Sequence, residues 1–132
     1  MVFVYPIRVT RVVDGDTVDA DIDLGFRVHT NKRIRLYGFN APESRTRDKE
    51  EKKRGLAAKK RLQELLDAAP EVHLRSHGTG KYGRVLGELM IEKGHYTTDE
   101  DINELYGDEE WISLATILIK ESHGTPYFGG KR

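Results

Sequence analysis

Cysteine is absent from the 132-residue chain, and its absence excludes a disulfide framework, a thiolate zinc site and a cysteine nucleophile. Net charge is absent too. The 22 basic side chains balance 22 acidic ones, so the molecule as a whole makes no electrostatic case for binding polyanions. No apolar run approaches membrane-spanning length, and the opening Met1-Val2-Phe3-Val4-Tyr5-Pro6 places no basic segment ahead of an apolar one. These absences predict a cytoplasmic protein with neither a membrane partner nor an obligate protein partner. The length suits one domain, residues 1–132, around a single core.

What charge there is falls unevenly. Residues 1–66 hold 15 basic and 10 acidic side chains, and residues 67–132 hold 7 and 12, an asymmetry that permits a basic face without locating it. Val4, Ile7, Val9 and Val12, then Val18, Ile22 and Leu24 across the Asp14-Gly15-Asp16 turn, read as a hairpin. A further turn at Leu24-Gly25 leads to a strand-like run from Ile34 to Phe39, which stops before Asn40-Ala41-Pro42. From about Lys52 to Ala69 the period becomes helical, with Ala58, Leu62, Leu65 and Leu66 on one face, and Pro70 ends it. Val72 and Leu74 suggest a fourth strand and Val85 to Ile91 a fifth, after the Gly80-Lys81-Tyr82-Gly83 turn. The acidic stretch from His95 to Glu110 lacks an apolar period, and Trp111 to Ile119 predicts a second buried helix opened by a core tryptophan. Together these elements predict an all-β core with helices: an oligonucleotide-binding-type, five-stranded Greek-key barrel carrying two helices.

Three segments can carry chemistry. Asp14-Gly15-Asp16-Thr17 sets two carboxylates around a glycine, so that both can face one hard cation; an ordinary Asp-Gly turn explains it equally well. Arg35-Leu36-Tyr37-Gly38-Phe39-Asn40-Ala41-Pro42-Glu43 puts an arginine inside an apolar strand, where it needs an anion. Glu43 stands just beyond the strand end. A salt bridge from Arg35 to Glu43 or to an early aspartate is the structural alternative. Lys81-Tyr82-Gly83-Arg84 combines two cations, an aromatic ring and a glycine turn, the ingredients for gripping a phosphate and stacking on a base; a solvated hairpin turn would look the same. The five histidines are scattered, with His73 and His77 flanking a turn, and the mixed-sign run Arg45 to Arg54 reads as a solvated loop, with a substrate-contacting flap as the alternative because it follows Glu43.

The order and spacing of the three segments resemble the staphylococcal nuclease (thermonuclease) family over roughly residues 4–130. That family's pattern is an Asp-Gly-Asp-Thr turn after the first strand, an Arg-Leu strand running into Pro-Glu, and a Lys-Tyr-Gly-Arg turn after the first helix. The resemblance implies a metal-dependent phosphodiesterase acting on DNA, with RNA as a second candidate substrate and little sequence preference. By position it implies Asp16, Asn40 and the Ala41 carbonyl as ligands of a calcium ion, with Asp14 behind them. It implies Glu43 as general base, Arg35 and Arg84 on the scissile phosphate, Lys81 and Tyr82 on a neighbouring phosphate, and Tyr127 near the nucleotide. Asn40-Ala41 stands where the best-known members carry Asp-Thr, which removes one formal negative charge from the ligand set. The 95–110 stretch looks like an insertion, and the short form resembles the nucleases of bacteriophages and prophages. Two other classes remain open: a non-catalytic nucleic-acid-binding module on the same barrel, and a phage protein-interaction factor using the acidic stretch.

Overall fold

The computed structural model describes residues 3–80, 83–92 and 110–127. Five strands close a mixed barrel. β1 (Val4–Asp14), β2 (Thr17–Asp23), β3 (His29–Leu36), β5 (Val72–Thr79) and β6 (Val85–Glu92) lie in the order β3-β2-β1-β5-β6, and β3 pairs back to β6. All the pairings round the ring are antiparallel except β3–β6, which is parallel. The eleven-residue β1 serves two neighbours. Its first half pairs with β5 and the rest with β2, and register shifts at Val9/Arg11 and Val12/Asp14 bend it round the curve.

Alternation decides which side of the wall each residue takes. Val18, Ala20 and Ile22 of β2 and Ile34 and Leu36 of β3 are buried, while Asp19, Asp21, Arg33 and Arg35 lie between them on the other face. The α1 helix (Lys49–Ala68) lays Gly55, Ala58, Leu62, Leu65 and Leu66 against that core. It begins three residues earlier than the apolar period predicts, so the end of the charged run from Arg45 to Arg54 is helical rather than loop. Asp48 accepts from the N–H groups of Glu50 and Glu51, and those two acids stand at the positive end of the helix dipole.

Three further expectations need correction. The run from Ile34 to Phe39 is two strands: β3 stops at Leu36, Tyr37 N–H donates to the Gly87 carbonyl at 2.8 Å, and β4 (Gly38–Asn40) pairs instead with β8 (Thr125–Tyr127). Trp111 opens a strand, not a helix. β7 (Trp111–Ser113) extends the edge of β6, and α2 (Leu114–Lys120) follows it, because Ile112 has a pairing partner in Ile91 and is already buried as a strand residue. Trp111 itself is half-buried and stacks on His73 at 4.2 Å. His73 and His77 do not flank a turn; both belong to β5, and His77 stacks on Tyr37 at 3.9 Å. Among the described residues no helix is long and apolar enough to cross a membrane.

Candidate active site at the barrel seam

The seam where β3 meets β6 brings distant parts of the chain together. Ile34, Arg35 and Leu36 lie opposite Val85, Leu86 and Gly87, so Arg84, which precedes β6, stands beside the arginines of β3. The Asp14-Gly15-Asp16 turn joins β1 to β2 at the same end, since Thr17 is the cross-strand partner of Arg35. Pairing of Gly38 with Tyr127 brings the last described strand alongside. A cavity of about 600 Å³ results, and Asp14, Asp16, Arg35, Ala41, Glu43, Arg84 and Tyr127 all line it. Lys81 and Tyr82 lie outside the described residues.

Asp16 is the fixed centre. It is only 5% exposed, and a buried carboxylate must be satisfied by donors or by a cation. Its Oδ2 accepts from the Ala41 N–H at 2.9 Å and faces Arg35 Nη1 at 3.2 Å, while Oδ1 accepts from the Thr17 hydroxyl at 3.0 Å. The arginine that needs an anion therefore finds the early aspartate. Arg35 is held from three sides, since Nη1 also donates to the Phe39 carbonyl at 2.8 Å and Nη2 to Asn40 Oδ1 at 2.9 Å. Asp14 accepts a hydrogen bond from the Ser44 hydroxyl.

The small residues here provide space. A Cβ on Gly15 would come within 2.7 Å of the Ala58 Cβ and 3.0 Å of the Ala41 Cβ. The glycine between the two aspartates is thus required by close packing against α1, and not by an unusual backbone angle. One turn away, a Cβ on Gly55 would lie 2.4 Å from the carbonyl oxygen of Glu43 and 2.6 Å from the nitrogen of Ser44. One face of α1 therefore seats both the aspartate turn and the backbone that carries Glu43. The Glu43 N–H adds a long contact to Glu51 Oε1 at 3.4 Å, and the residue itself is exposed.

The oxygen donors suit a hard divalent cation in kind: the Asp16 and Asp14 carboxylates, the Ala41 carbonyl and the Asn40 amide. They are poor in charge. No group of three His, Cys, Asp or Glu side chains converges among the described residues, and Asn40 Oδ1 is engaged by Arg35. Asn40 is the one site candidate, of those described, that does not line the cavity.

Sequence reasoning missed two participants, Ser44 and Gly55. Ser44 lines the cavity beside Arg45, the residue that opens the run read as a solvated loop or a substrate-contacting flap; the place of Ser44 directly after Pro42-Glu43 was the available signal. Gly55 gave no signal, because its role is a contact between segments far apart in the helix and strand pattern. The model of the family described as staphylococcal nuclease homologue matches residues 33–122. No curated protein gives a significant match.

Proposed function

The chain belongs to the staphylococcal nuclease homologue family, and from that premise we propose that it hydrolyses phosphodiester bonds of DNA, and of RNA, with little sequence preference. The observation carrying this reading is the convergence of Asp16, Arg35, Glu43 and Arg84 on one cavity from three separate segments. A binding module would need the arginines but would have no use for Glu43.

Arg35 and Arg84 grip the scissile phosphate and meet the charge that grows on its oxygens in the transition state. Arg35 suits this because its hydrogen bonds to Asp16, Phe39 and Asn40 hold the guanidinium in place before substrate arrives. Glu43 orients the attacking water and takes its proton. Asp16, with the Ala41 carbonyl and the Asn40 amide, would hold a calcium ion, which supplies Lewis-acid stabilisation of phosphate oxygens when bound. Tyr127 faces the nucleotide, and Lys81 with Tyr82 a neighbouring phosphate. The remainder of the reading is a single-domain, cytoplasmic enzyme of the short phage type.

The test is degradation of single-stranded DNA by the pure protein with calcium, with magnesium and with chelator. Cleavage is expected only with a divalent ion, and at high ion concentration, since the ligand set holds one formal charge fewer than an Asp-containing one. Asn40→Asp should lower the calcium concentration needed for half-maximal activity about tenfold, roughly the effect of one further carboxylate. Unchanged metal dependence in that variant would remove Asn40 from the ligand set. Cleavage unaffected by chelator would overturn the metal requirement itself.

A further inference from the structure

A second groove, of about 620 Å³, adjoins the cavity and shares Asp14, Thr17, Arg45 and Arg84 with it. It continues up β3 past Asn31 and Arg33. The site described above gives no role to Arg33, and gives Arg45 none beyond lining the cavity.

Arg33 and Arg35 are two residues apart on β3 with the buried Ile34 between them, so both leave the same face of the strand. Two strand residues span roughly 6.8 Å, comparable with the step between successive phosphates of an extended polynucleotide. Arg33 donates through Nε and Nη2 to Asp19 at 2.9 and 3.2 Å, which fixes the plane of its guanidinium. Five N–H donors sit on a guanidinium and this fork uses two, so others remain for an anion. Arg45 is exposed, lies at the junction of cavity and groove, and enters no ion pair among the described residues.

We propose that Arg33 and Arg45 form a second phosphate subsite, one nucleotide along from the scissile phosphate held by Arg35 and Arg84, so that the substrate is an extended polynucleotide strand and not a mono- or dinucleotide. This rests on the nuclease reading of the adjoining cavity. It goes beyond that reading in giving the strand a direction, along the β3 seam.

The test uses oligothymidylates lengthened one nucleotide at a time from either end. Binding is read by fluorescence anisotropy in chelator, and KM by cleavage with calcium. Wild type should show a tightening of about five- to tenfold when the added phosphate reaches the groove. Arg33→Ala should abolish that step in both Kd and KM and reduce the slope of log Kd against log salt by about 0.7, the value for one phosphate contact on a single strand. Arg45→Ala should reduce the step. Asp19→Asn breaks the same ion pair while retaining the cation, so it should keep the step and separate a phosphate contact from a merely structural one. Retention of the step by Arg33→Ala, or its equal loss in Asp19→Asn, would overturn the subsite. Failure of the nuclease reading would look different: oligonucleotides bound with the full length step but not cut with any divalent ion.

Discussion

Two arginine–aspartate pairs join β3 to β2 and to the turn just before it, and they differ in almost everything except chemistry. Arg33 meets Asp19, its direct cross-strand partner, with the two side chains 47% and 30% exposed. Arg35, two residues on, meets Asp16 from the turn before β2, with the side chains 13% and 7% exposed. The outer pair exchanges water for a partner at little gain. The inner pair has lost its water, and its desolvation is offset only because the Ala41 N–H, the Thr17 hydroxyl, the Phe39 carbonyl and the Asn40 amide satisfy the remaining groups. Burial is what turns a pair of charges into a preorganised device. A fixed, poorly hydrated guanidinium stabilises developing negative charge far more than a solvated one, because it has no solvent left to reorganise.

The comparison would be broken most forcefully at Arg35. Arg35→Ala should lower turnover by about 10²–10³-fold and, by stranding Asp16, cost roughly 3–5 kcal/mol of stability in urea unfolding. Arg84→Ala should match the turnover loss, with a smaller effect on stability. If both arginines changed KM alone, they would be contributing binding and not transition-state stabilisation.

Glu43→Gln keeps shape and should leave folding and oligonucleotide binding intact while lowering turnover by about a hundredfold and flattening the ascending limb of the pH profile. Activity within a few-fold of wild type would exclude the general-base role. Gly55→Ala should act through the same residue at a distance. In most helix interiors this change stabilises by about 1 kcal/mol. Here the new Cβ would meet the Glu43 carbonyl at 2.4 Å, so backbone must shift, and the expected outcome is a destabilised protein with roughly tenfold lower turnover. A stabilised, fully active Gly55→Ala would show that α1 does not seat Glu43.

Much of this was legible in sequence because it is local. The alternation of Val18, Ala20 and Ile22, and of Ile34 and Leu36, marks strand faces in adjacent residues, and Ala58, Leu62, Leu65 and Leu66 mark a helix within three turns. Closure of the barrel was not legible in the same way. The β3–β6 pairing joins segments separated by a helix and two strands, and a parallel pairing leaves no turn between its partners to announce it. β7 is three residues long, too short for an alternation to be told from the start of the helix that follows. In the site, the family resemblance carried by the three motifs pointed to Asp16, Arg35, Glu43 and Arg84. It did not indicate which anion Arg35 would take, or that Asn40 would turn its oxygen to that arginine. Those outcomes depend on where Ala41 and Phe39 place their backbone groups, which only the assembled fold determines.

The smallest effect is expected at the outer pair, and its size tests whether burial is the variable that matters. The Arg33 guanidinium, donating to Asp19, holds that carboxyl below its ordinary range. A carboxylate whose folded pKa is depressed adds stability above its unfolded value of about 3.9, and that stability is lost as pH falls through the lowered folded value. Arg33 is shifted the other way, upward, so its part is present at all pH values below the arginine range and adds no second transition under ordinary conditions. With side chains 47% and 30% exposed, solvent and salt screen most of the interaction, and the bidentate geometry leaves at most about 1 kcal/mol. Asp19→Asn should therefore cost less than about 1 kcal/mol in urea unfolding at neutral pH. The difference should shrink in high salt, begin to fall as pH drops below about 4, and close only below the lowered folded value, where the wild-type carboxyl is protonated. A loss at Asp19 as large as that from Arg35→Ala would mean that the exposed pair is as deeply coupled to the fold as the buried one, and burial would no longer explain the contrast between them.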